Sequence, residues 1–165
     1  MQMPEGTALT LAQQQQFSAR QLVSQSLTFK QPCAETYNAI VMDDPQKDGW
    51  IVYVMSATFT PGVMIAGGHY RATVSRDGKT LSSIEPMTYA CLNLPTKPEK
   101  GREGGKVVFL AMTHLLSKTP LETHIFLNLS YNMPLFVITG PDAEGWIIEQ
   151  GKMTFTPPDS AKKPD

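Results

Sequence analysis

Reversals follow one another closely after Thr36, and their spacing constrains the fold more than any other feature of the sequence. Breaks bearing glycine, proline or clustered polar residues fall at Asp43–Gly49, Thr60–Gly62, Asp77–Gly78, Ser117–Pro120, Tyr131–Pro134, Gly140–Asp142 and Gln150–Gly151. A parallel crossover needs a dozen or more residues, so connections this short predict antiparallel neighbours. The segments between them read as strands: Tyr37–Met42, Trp50–Phe59, Val63–Ala66, His69–Ser75, Thr80–Tyr89, Leu135–Thr139, Trp146–Glu149 and Lys152–Thr156. Asp77-Gly78 between two alternating segments predicts a hairpin through a type I′ turn. Gly67-Gly68 gives the backbone freedom to bend or bulge. The apolar decade 106–116 is ambiguous by period and is read as strand, because its surroundings are β.

The longest alternation lies in Thr119–Tyr131. Leu121, Thr123, Ile125, Leu127, Leu129 and Tyr131 share one parity, and Glu122, His124, Phe126, Asn128 and Ser130 the other. This predicts a half-buried central strand with Glu122 and His124 side by side on its polar face. Upstream the period changes. Thr10 and Gln13 fit a capping box, and Leu11, Ala12, Ala19, Leu22, Val23 and Leu27 form an apolar stripe, predicting one helix over 11–27. Gln31-Pro32 ends it.

Helix first and strands after predicts an α+β fold, with the N-terminal helix packed on a curved, mainly antiparallel meander sheet. The element order is like that of cystatin-like and nuclear-transport-factor-like cones; the alternative is a β-sandwich with a helical extension. One domain over 7–156 is expected, with a flexible lead (1–6), a mobile loop (94–105) and a disordered tail (157–165).

Composition excludes more than it identifies. With 14 basic and 15 acidic residues the net charge is −1, so the basic footprint of a nucleic-acid partner is missing. No apolar run reaches the roughly 18 residues of a membrane span. The first residues lack the basic and apolar regions of a leader, which fits a cytoplasmic protein or a mature periplasmic or secreted one begun with an added Met. Cys33 and Cys91 form no C-x-x-C motif and are a disulfide candidate, which points to the second compartment.

Candidate chemistry is sparse. A hairpin joining 106–116 to 121–131 would bring His114 near Glu122 or His124. Two imidazoles and a carboxylate are divalent-metal donor types. Their spacing matches no zinc signature, so they stand as binding residues with no metal and no cofactor assigned; the plainer reading is an exposed Glu–His pair. His69 and Arg71, after the glycine pair, are candidate anion contacts. Asp44–Gly49 resembles a calcium loop, but Gln46 and Met55 occupy positions that need oxygen ligands. There is no nucleophile elbow and no phosphate loop. Asn128-Leu129-Ser130 fits a glycosylation pattern by chance, and Met42, Met55, Met64, Met112 and Met133 read as core fillers. These residues predict a non-enzymatic binding or inhibitory module acting on a protein partner through a sheet face or loop, and an exposed sheet edge offers a route to a homodimer. The alternative is a small-ligand or enzymatic cone using the Glu/His group.

Overall fold

The computed structural model describes residues 8–27, 32–88, 90–98 and 105–157. The expected lead, most of the tail and the centre of the 94–105 loop lie outside these residues. The fold is α+β, with contacts falling into two compact units.

The first unit carries α1 (Leu11–Ser26) and a sheet in the order β1 (Thr36–Asp43), β2 (Gly49–Ala57), β4 (Tyr70–Ser75), β5 (Leu81–Pro86). The capping box forms as the sequence predicts: Gln13 N–H donates to Thr10 Oγ1 at 3.3 Å, and Thr10 N–H donates to Gln13 Oε1 at 2.9 Å. Ala19 and Val23 on the apolar stripe are buried among Trp50, Val52, Ala72 and Val74. Trp50 is anchored at its polar end. Its Nε1–H donates to the Arg76 carbonyl at 2.8 Å, while the Arg76 guanidinium lies 4.3 Å from the ring centroid. Asp43 and Asp48 hold that guanidinium by ion pairs of 2.6 and 2.7 Å.

β4 and β5 pair antiparallel across Asp77-Gly78, as predicted. The turn is not type I′. Gly78 alone is left-handed (φ +74°), and Gly78 N–H closes the turn on the Ser75 carbonyl at 2.9 Å. A Cβ on Gly78 would collide with the Gln15 carbonyl and the Ser18 side chain, so α1 packs directly on the turn.

The second unit holds a two-stranded sheet of β3 (Val63–Ile65) and β6 (Asn93–Pro95), and a four-stranded sheet. The latter runs β10 (Lys152–Thr156), β9 (Glu144–Glu149), β8 (Leu135–Thr139), β7 (Leu110–His114). Its core joins Leu110, Met112, Leu135, Val137 and Ile148 to Met64, Ala66 and Leu127. Of the methionines read as core fillers, Met42 is 52% exposed and belongs to neither core.

Two expectations fail here. Thr119–Tyr131 is not a strand: Glu122–Tyr131 is a helix, α2. β7 and β8 are parallel, from Leu110↔Leu135 to His114↔Thr139, and α2 is their crossover. The alternation misled because three of the four buried residues of α2 are polar. Thr123, His124, Leu127 and Asn128 point inward at helical spacing, while Leu129, on the supposed apolar parity, is 60% exposed.

Cys33 and Cys91 are disulfide-bonded. The bond sits against Gly68, whose φ of +73° suits glycine and whose added Cβ would strike Cys33. The sequence separation is 58, which in the chain-entropy account corresponds to about 4 kcal/mol. Thiol titration in denaturant without reductant is expected to find no free thiol. Replacing both cysteines by Ala should lower the stability measured by urea denaturation by up to about 4 kcal/mol.

Candidate functional site

The parallel crossover assembles the site. His114 ends β7, and His124 stands in the first turn of α2. Their rings meet edge to face, 4.9 Å between centroids and 77° between planes. Both are buried, at 3% and 2% exposure. The sequence places His114 beside His124 correctly, but through a hairpin that does not exist.

Glu122 lies outside the ring contact and acts on His124 only as a minor charge that favours the protonated ring. Residues i and i+2 are about 200° apart on a helix, so His124 points inward and Glu122 outward. The same-face expectation followed from the strand reading and falls with it.

Hydrogen bonds fix the state of both rings. Leu121, the N-cap of α2, offers no side-chain cap; its N–H donates to His124 Nδ1 at 2.9 Å. His124 thereby takes the place of the Glu or Gln of a capping box. Because Nδ1 accepts, the proton of the neutral ring is on Nε2. Ser117 Oγ donates its one proton to the Thr119 carbonyl at 2.5 Å, so across the 2.9 Å contact it accepts from His114 Nε2–H. Nδ1 of His114 is then an acceptor. The pair leaves one donor, His124 Nε2–H, and one acceptor, His114 Nδ1.

Burial keeps both rings neutral. It pushes His124 down to about 4, with the neighbouring His114 adding a smaller repulsion, and it also lowers His114. The positive end of α2 opposes protonation in the same direction.

The two rings line a cleft of about 430 Å³ together with the run Ala111–Leu116, Ala90–Leu92, Thr88 and Ala66. None of these lining residues is acidic or basic apart from the neutral imidazoles. Among the described residues, the one sealed side-chain polar atom without a partner is His69 Nε2. The unengaged nitrogens of His114 and His124 are therefore not sealed, and both residues line the cleft. Among the described residues no three His, Cys, Asp or Glu side chains are arranged to hold a metal ion.

His69 and Arg71 do not form the expected anion contact. His69 precedes β4, is 1% exposed, and accepts from Ser56 N–H at Nδ1 (3.1 Å). Burial lowers it to about 4, offset in part by the Ile65 backbone. Arg71 pairs instead with Glu85, its cross-strand partner, at 3.0 Å. The turn at Gly68 explains why strand parity does not extend back to His69.

Sequence reasoning missed Asn128. Its Nδ2 donates to the carbonyls of Met133 (2.8 Å) and Ile148 (3.2 Å), and its Oδ1 accepts from Gly151 N–H (2.8 Å). It ties the end of α2 to the β9–β10 turn. In the folded chain the amide nitrogen of the Asn128-Leu129-Ser130 pattern is buried and engaged. Only the mismatch of an Asn within an apolar stretch could have flagged it.

Two measurements check the buried polar groups. Asn128→Ala should cost about 3 kcal/mol in urea denaturation, because it strands a backbone N–H and two carbonyls. His69 and His124 have folded pKa values near 4, below the ordinary 6.5. The unfolded chain therefore binds more protons between these limits. Their contribution to stability is complete above about pH 6.5 and is lost as pH falls towards 4, at up to about 2.7 kcal/mol per unit for the two rings. Denaturation midpoints from pH 7.5 to 4.5 should show this slope, and His124→Asn should flatten it by about half. No protein-family model matches the chain, and neither a curated protein nor a solved structure shows significant similarity to it.

Proposed function

We propose that the protein is a non-enzymatic binding module whose site is the cleft lined by His114 and His124. The observation that carries this reading is the pair of neutral imidazoles, one offering a donor and the other an acceptor, in a cleft whose other described lining residues are mostly apolar and all uncharged. Such a site favours an uncharged group with its own donor and acceptor, such as an amide, bound with apolar contact around it. Charged ligands meet a desolvation cost with no counter-charge to offset it.

Acid–base catalysis is less well supported. Glu122 is exposed and turned away from His124, and the Ser117 proton is committed to the Thr119 carbonyl rather than to His114. The disulfide favours an oxidising compartment, periplasmic or extracellular, as the place of action.

Titration with small uncharged amides such as hexanamide and δ-valerolactam, followed by NMR of the histidine ring resonances, tests the site. Shifts of His114 and His124 are expected at millimolar ligand, with hexanoate weaker than hexanamide. His124→Phe, which removes the donor, should weaken binding about tenfold. Unmoved His114 and His124 resonances across the series would overturn the proposal.

A further inference from the structure

We infer that the natural occupant of this cleft is an extended, uncharged peptide segment that adds as a strand to the free edge of β7. The inference rests on the cleft being the binding site and names the class of ligand it takes.

Among the described residues β7 is the last strand of its sheet, with β8 on one side only. The direction of its backbone groups follows from two bonds. Leu110 N–H donates to the Pro134 carbonyl at 3.0 Å, and the His114 carbonyl accepts from Gly140 N–H at 3.3 Å. In a parallel ladder, residues of one parity turn both backbone groups to the same neighbour. Leu110, Met112 and His114 therefore bond β8, and Ala111 and Thr113 present their N–H and C=O groups on the opposite, free side. Among the described residues, no strand pairs with that side.

That side is the cleft. Six consecutive residues, 111–116, line it. A cleft lying over a sheet face would touch alternate residues only, so contact with both parities marks a cleft running along the strand edge. Ala111 and Thr113 are exposed, while Met112 and His114 between and after them are buried. Outward groups two residues apart repeat at about 6.6 Å, the spacing at which a second strand offers complementary groups. β7 spans about 13 Å, room for roughly three to five residues of an added strand.

Lining chemistry sets the preferred peptide. Among the described residues that line the cleft none is acidic or basic, so charged residues are disfavoured. Side chains of the added strand on the Met112 and His114 face meet Leu92, His114 and His124. One of them can carry an amide or hydroxyl, since the imidazole pair supplies both a donor and an acceptor. Backbone pairing supplies affinity and alternate side chains supply selectivity, the mode known as β-augmentation.

The test pans a displayed random nonapeptide library against the disulfide-intact protein at pH 7.5, with enriched sequences then synthesised. Uncharged peptides with alternating apolar positions are expected. N-methylation of the amides facing β7 should weaken binding about tenfold or more, while methylation of the intervening amides should change it less than about twofold. The Ala111 and Thr113 amides should gain protection from hydrogen exchange. Thr113→Pro removes one outward donor at an edge position and should reproduce the loss, with Thr113→Ala as its control. If Thr113→Pro does not fold, the N-methyl series on the unaltered protein decides alone.

Peptides that bind with no dependence on methylation position would overturn strand addition while leaving the cleft as the site. If no peptide is retained but hexanamide still shifts the two histidines, the peptide class is wrong and the cleft reading stands. Failure of both overturns both.

Discussion

The parallel pairing of β7 with β8 is the interaction on which the second unit depends. Parallel neighbours cannot be joined by a tight turn, so the chain between them has to leave the sheet and return. It does so as α2, whose Leu127 closes the core over Leu135, Val137 and Ile148. The same geometry brings the start of α2 next to the end of β7. His114 and His124, ten positions apart in sequence, meet because a crossover helix begins where its strand stops. With β8 paired on its other side to β9, β7 is left at the sheet edge.

Burying so many polar side chains is tolerable because nearly all of them are bonded. Asn128 uses both ends of its amide, and Thr139 Oγ1 donates to the Lys118 carbonyl at 2.7 Å while accepting from Trp146 Nε1–H at 3.0 Å. His124 caps the backbone of its own helix. These bonds each contribute modestly when formed but are costly to break, since the stranded partner stays out of water. They lock ring states as well as backbone. A chain of committed protons, from His114 to Ser117 to Thr119, leaves the two imidazoles with one donor and one acceptor to offer. His69 is the exception: its Nε2 is sealed with no partner at hydrogen-bond geometry, and only the Ile65 backbone partly offsets the burial of the ring.

Local signals were legible where a segment's own residues satisfy its needs. The capping box at Thr10 and Gln13, the reversal at Asp77-Gly78 and the short strands Leu135–Thr139 and Lys152–Thr156 follow from neighbours in sequence. The α2 segment was not legible, because its inward face carries Thr123, His124 and Asn128. The partners of His124 and Asn128 come from the helix cap, from Met133 and from distant Ile148 and Gly151. A helix whose buried face is polar shows no clean 3.6-residue apolar period, and by accident its apolar residues alternate.

By itself the sequence determined the α+β class, the first helix and the antiparallel β4–β5 hairpin, and it identified the two cysteines as candidate partners. These depend on capping, glycine conformation and apolar period, all encoded within a few residues. Only the tertiary structure decided that 122–131 is a helix, that β7 and β8 run parallel and that Glu122 leaves the histidine pair. The β7–β8 ladder and the bonds of Asn128 to Ile148 and Gly151 join residues far apart in the chain, and periodicity carries no information about such partners.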